Sequence, residues 1–148
     1  MHKIFNSKLI GLVIKRLSKV EVDKRTSNQH ELNGNRDLRK LLGDIRINNQ
    51  SVKFTYHDRD GSEISTTGSI TWYDAREAHP SRTEYRLYFK SNYVMDNANQ
   101  GDLLIVSLQS DGEINIIIIQ EGGKLEENLL SLFGPLERIG TTFKYRSV

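Results

Sequence analysis

Six apolar runs of strand length recur along this chain, and their close spacing limits its fold more than any other feature. They are LIGLVIKRL at 9–17, SVKFTYH at 51–57, EISTTGSITWY at 63–73, TEYRLYF at 83–89, DLLIVSLQ at 102–109 and EINIIIIQ at 113–120. Asp-Gly sits between two pairs of them, in HDRDGSE and QSDGEIN. That dipeptide supplies the positive φ a tight hairpin turn requires. The pattern predicts six or seven strands in an antiparallel barrel or sandwich capped by short helices, and not a doubly wound parallel sheet. Three helices are expected. NRDLRKLLG places Leu38, Leu41 and Leu42 at helical spacing with Gly43 as a stop, and SNYVMDNANQG places Val94, Met95 and Ala98 on one side. GKLEENLLSLFGP turns Leu125, Leu129, Leu132 and Phe133 inward. KRTSNQHELNGN at 24–35 reads as a polar loop of the length that often carries function.

A chain of 148 residues suits one domain with a substantial core. It has no cysteine, which excludes disulfides and thiolate metal sites and suits a reducing cytoplasm. The N-terminal run LIGLVI is six residues long, ends in Lys15-Arg16 and reads as a buried strand, not a signal peptide. No run approaches a membrane span. Net charge is only +2, but it is unevenly spread. Lys15 to Arg46 holds nine Lys/Arg against five Asp/Glu, whereas Asp96 to Glu127 holds seven Asp/Glu against Lys124 alone. One basic and one acidic half fit a molecule with a single binding face.

HPSRTEYRLYF at 79–89 raises the functional question. Read as a strand, it puts Arg82, Glu84 and Arg86 on one face. Two accounts of that face stand open. Alternating charge on an open strand face commonly serves cross-strand pairing. The same groups also match G·C edges in a major groove: arginine bidentate to guanine, carboxylate accepting from cytosine. SNQH at 27–30 adds Asn28, Gln29 and His30, with Lys24 and Arg25 nearby for phosphates.

Catalytic patterns are missing. EGGKLEEN lacks the spacing of a phosphate-cradling loop, and His2, His30, His57 and His79 show no metal-ligand spacing. Asp58 and Asp60 fit a hairpin turn better than a calcium loop, whose glycine would come later. Asp74 and Glu77 lack the pattern of a metal-dependent nuclease. The expectation is a chain that binds and does not catalyse, with no catalytic residue and no metal ligand of its own.

Six blocks in order, IKRLS (14–18), SNQHE (27–31), WYDAR (72–76), SRTEYRLYF (81–89), GDLLIV (101–106) and LLSLFG (129–134), make the chain similar to a known family. It resembles the N-terminal effector domain of EcoRII-type restriction endonucleases, a relative of the plant B-three DNA-binding domain. The resemblance implies a mainly β, open antiparallel pseudobarrel of about seven strands with two or three short helices. It implies two arms clamping the major groove of double-stranded DNA. One spans Lys19 to His30 with Asn28, Gln29 and His30 at its tip. The other spans Arg76 to Arg86, with Arg82, Glu84 and Arg86 matching the family's Arg-x-Glu-x-Arg. Lys19, Lys24, Arg25, Ser27, Arg76, His79 and Ser81 would meet the DNA backbone. A family lysine two residues before the first arginine is Pro80 here, so the sequence read would differ. The resemblance further implies a monomeric recognition module, in a bacterial cytoplasm, of a type II restriction endonuclease. Its pseudobarrel would span 1–135, and 136–148 would be a terminal strand or the start of a linker to a nuclease domain elsewhere. No cofactor would be needed for binding, and Mg²⁺ would belong to that nuclease domain. A stand-alone transcription regulator or modified-base sensor is the alternative on the same fold.

Overall fold

A computed structural model describes residues 4–23, 31–134 and 144–147. Lys24, Arg25, Ser27, Asn28, Gln29 and His30 lie outside the described residues. In chain order the elements are β1 (Leu9–Arg16), α1 (Lys19–Val22), β2 (Glu31–Asn33), α2 (Arg36–Leu42), β3 (Ile47–His57), β4 (Glu63–Asp74) and β5 (Tyr85–Phe89). They continue with α3 (Tyr93–Asp96), β6 (Leu103–Gln109), β7 (Ile114–Ile119), α4 (Lys124–Phe133) and β8 (Lys144–Ser147). The strands form one eight-stranded sheet in the order β2-β5-β4-β3-β7-β6-β1-β8, curled into a half-barrel. The chain is mainly β, as its apolar runs require. Among the described residues it has eight strands and four helices, one of each beyond the numbers expected. Neighbours are antiparallel except β3 and β7, which pair in parallel from Lys53↔Asn115 to His57↔Ile119.

Both Asp-Gly turns close hairpins. Asp58 N donates to Ser62 O at 2.9 Å and Gln109 N to Glu113 O at 2.9 Å, with Gly61 and Gly112 at φ 89° and 87°. Such φ values suit glycine because no Cβ clashes there. The predicted polar loop at 24–35 is interrupted by β2, whose Leu32 is buried opposite Leu87. Gly34 lets this edge approach, since a Cβ there would stand 2.6 Å from the Trp72 ring.

Period-two alternation gives the sheet two faces. One face gathers Val13, Leu32, Phe54, Trp72, Leu87, Val106 and Ile116 with Leu38 of α2 and Val94 of α3. Strands β1 to β7 all contribute to that cluster, so the sheet curls around it and this face is concave. The convex face has its own core only over β1, β6 and β7, where Leu12, Ile14, Leu103, Ile105, Ile117 and Ile119 meet Leu129 of α4. Each fully buried aliphatic side chain contributes about 1.5–3 kcal/mol. Leu125, Leu129 and Phe133 form the inward stripe of α4, but Leu132, expected to join them, is 56% exposed. It lies about 60° around the helix from Leu129 and about 100° from Phe133, at the open edge of the stripe in the last turn of α4. Glu126 is buried because Arg16 Nη1 meets it at 2.5 Å and the Gly122 N–H at 2.8 Å, which fastens α4 to the sheet. α3 is shorter than expected, four residues long. No helix among the described residues is long and apolar enough to cross a membrane.

Candidate nucleic-acid interface

Beyond α4 the convex face is polar. Leu32, Trp72 and Leu87 point into the concave core, so Glu31, Asn33, Tyr73, Arg86 and Tyr88 share the opposite side of β2, β4 and β5. Arg86 stands between Asn33 and Tyr73 in the pairing register. Its Nε and Nη2 donate to Glu84 Oε2 at 3.2 and 2.7 Å, and its Nη1 donates to Glu31 Oε1 at 3.1 Å. Tyr73 donates its hydroxyl to the other oxygen of Glu31. The Arg86 bond holds the Glu84 carboxyl below its usual value. Burial, then the Glu31 bond, pushes the Tyr73 hydroxyl up. Arg86 has two N–H groups left once these carboxylates are served.

The hairpin loop at 75–84 joins β4 to β5 at the edge of this surface and bonds to itself. Asp74 Oδ1 accepts from Arg76 N at 2.9 Å and Glu84 N at 2.8 Å, and Ala75 N donates to Glu84 O at 2.7 Å. The Glu84 N–H, first, and the Arg76 N–H lower the Asp74 pKa. His79 Nδ1 accepts from Ser81 N at 3.1 Å and Arg82 N at 3.0 Å. That geometry assigns the proton of a neutral His79 ring to Nε2. At the loop's root, Tyr85 stacks on Trp72 with centroids 5.1 Å apart and donates its hydroxyl to Asp44 O at 2.7 Å. Arg39 lies 4.6 Å over the Tyr85 ring and Arg46 lies 5.5 Å over the Tyr73 ring.

This loop corrects the reading of 79–89 as one strand. β5 begins at Tyr85, so Arg82 does not share a strand face with Glu84 and Arg86. Asp74 and His79 take up backbone donors that a strand would commit to its ladder, and Pro80 has no donor to offer. Glu84 and Arg86 do meet. Arg76 stands 3.8 Å from Glu84, and Arg39 and Arg46 face Asp44 and Glu77 at 2.6 and 3.5 Å. Arg82 is exposed and has no carboxylate partner among the described residues. His79 and Ser81 are exposed on the same loop. Lys19 is exposed on α1, and no side-chain contact ties it to the loop.

Sequence reasoning missed Glu31, Arg46, Tyr73, Asp74 and Tyr88 as members of this surface. Alternation through WYD would have set Tyr73 opposite Trp72, but bringing Glu31 to Arg86 needs the β2–β5 register. Among the described residues no three His, Asp or Glu side chains gather as metal ligands. No protein-family model matches the sequence, and no characterised protein matches it closely enough to count as a relative.

Proposed function

We propose that this chain is a sequence-specific double-stranded DNA-binding domain. The loop at 75–84 would enter the major groove as one arm and the segment ending at His30 would supply the other. The observation that carries this reading is Arg82. It is an exposed guanidinium without a carboxylate partner, on a loop whose backbone is already locked by Asp74 and His79. A pre-ordered arm loses little entropy on binding. Arg82 would read a guanine, with Arg76, His79 and Ser81 meeting phosphates beside it. Lys19, Lys24, Arg25 and Ser27 would serve the backbone along the first arm, with Asn28, Gln29 and His30 at the bases. Glu84 and Arg86 have a narrower role in this reading. Two carboxylates hold the Arg86 fork, so base contact requires the fork to leave Glu31 or to use its remaining N–H groups.

The resemblance to EcoRII-type effector domains supports a further step, that the chain is the recognition module of a type II restriction endonuclease. Binding would need no cofactor, and Mg²⁺ would act in a nuclease domain outside this sequence. Selection from randomised duplex DNA near physiological salt tests the reading. One recovered short motif containing G·C pairs is expected, and equal recovery of all sequences overturns it. Incubating plasmid with the chain and Mg²⁺ tests the assignment of chemistry elsewhere, since cleavage by this chain alone would refute it.

The ion pairs favour a second reading of one part of the surface. Arg86 with Glu31 and Glu84 forms a cross-strand knot that would stabilise the edge of the sheet whatever the loop binds.

A further inference from the structure

A cleft of about 690 Å³ opens on the convex side between α4, residues 4–6 and strands β3, β7 and β6. It lies on the same face as Arg86, separated from it by β4, and falls within the roughly 300–1,000 Å³ of small-molecule sites. Its floor is built from polar groups that open into it. Thr55 is 8% exposed and Gln109 7%, both line the cleft, and neither side chain has a hydrogen-bond partner among the described residues. Among the described residues the one buried side-chain polar atom without a partner is Arg16 Nη2, so the polar atoms of Thr55 and Gln109 are not sealed off but reach the cleft, where a ligand or water can bond them. Asn115 and Asn128 also line it, and their carboxamides are likewise unpartnered. A carboxamide offers a donor beside an acceptor, the complement of a nucleobase edge.

The remaining walls separate into an apolar part and a cationic rim. Phe5, Ile117 and Leu125 supply flat apolar surface. Lys53 and Lys124 are exposed at the rim with no carboxylate partner. Two acids, Asp58 and Glu63, also line the cleft. Asp58 Oδ1 accepts from Asp60 N and Ser62 N, and Glu63 stands 3.5 Å from His57. Gly123, at the N-cap of α4, provides no side-chain acceptor for the helix's first N–H groups, which border the same rim. Lysines and an uncapped helix start together favour a phosphate.

We propose that this cleft binds a nucleoside monophosphate, its base edge against Gln109, Asn115 and Thr55, its phosphate at Lys53 and Lys124. The site shares no side chain with the proposed DNA interface, so either can fail alone. The test is calorimetric titration, with thermal melts, of the ribo- and deoxyribonucleoside 5′-monophosphates, the matching nucleosides and inorganic phosphate, all without DNA. At least one nucleotide should bind about tenfold or more tightly than its own nucleoside and than phosphate, as expected for an added charge-assisted bond. Lys53→Ala with Lys124→Ala should bring that nucleotide to the nucleoside's affinity, and Gln109→Leu should weaken both. The exposed lysines can be removed without unfolding the chain, so unchanged melting of the unliganded double variant separates lost binding from lost fold. Three results each overturn the proposal: no nucleotide binding at about 1 mM, phosphate binding as tightly as any nucleotide, or affinity unchanged in the lysine and Gln109 variants.

Discussion

The two ends of the convex face are made of the same backbone and put to opposite uses. Over β1, β6 and β7, Leu12, Ile14, Ile105 and Ile117 are almost wholly buried under α4. Over β2, β5 and β4, the equivalent outward positions are Glu31, Arg86 and Tyr73, which stay partly exposed and bond to one another. Both ends share the same concave core on their other side. The difference shows what each end can spare: where a helix covers the strands, side chains are committed to packing. Where the second cover is missing, they are available for charge, and the loop at 75–84 rises from that end.

The sharpest way to break this division is at its covered end. Leu129→Ala removes the buried contact of α4 and should cost about 2–5 kcal/mol of stability in denaturant unfolding. Base preference of the folded fraction should not move. Loss of preference without loss of stability would show that the two ends are not separate.

The covered end was also the more legible one. DLLIVSLQ and EINIIIIQ became β6 and β7 with bounds shifted by only a residue, because long β-branched and leucine runs buried on both faces suit no other element at that length. What failed to show was non-local. β2 is three residues in a polar stretch, and only its pairing with β5, from Glu31↔Tyr88 to Asn33↔Arg86, makes it a strand. The parallel pairing of β3 with β7 depends on the order of the whole sheet. Arg82 was misplaced because period two was carried through Pro80 into residues whose N–H groups belong to the His79 ring. The candidate site was therefore visible as residue types and invisible as an arrangement. Arg86 could be named from the sequence, but its two carboxylates could not.

At the open end, Arg82→Ala should weaken binding to the preferred duplex by roughly 1–3 kcal/mol and relax choice at one base pair. Melting should stay within about 0.5 kcal/mol of the parent, since no folded contact is lost. Equal weakening on all sequences would reassign Arg82 to a phosphate. Arg86→Ala sharpens the comparison further. As a partly buried pair, its contact to Glu31 should contribute about 1 kcal/mol or less. Arg86→Lys should restore part of that stability without restoring bidentate recognition. If both variants keep the parent's site preference, Arg86 belongs to the fold and Arg82 carries the reading alone.

The smallest effect is a local one in acid. The pKa values of Asp74 and Glu84 lie below their ordinary 3.8 and 4.5, through the Glu84 N–H for the first and Arg86 for the second. A carboxyl with a depressed folded value stabilises the fold above its ordinary pKa and loses that contribution as pH falls through the folded one. The loop at 75–84 should therefore stay closed near neutrality, and the two Asp74 bonds should be lost only below pH 3.8. The amide signals of Arg76 and Glu84, followed by NMR through an acid titration, should shift with a midpoint under that value. Those of β6 and β7, which touch neither carboxyl, should not follow them. Asp74→Asn keeps an oxygen acceptor for both amides and removes the charge, so its loop should remain closed through the Asp74 range. If the parent's midpoint lies at or above 3.8, Asp74 does not hold the loop. Arg82 then stands on an arm that DNA itself must order, and the contrast with the covered end becomes one of rigidity as well as charge.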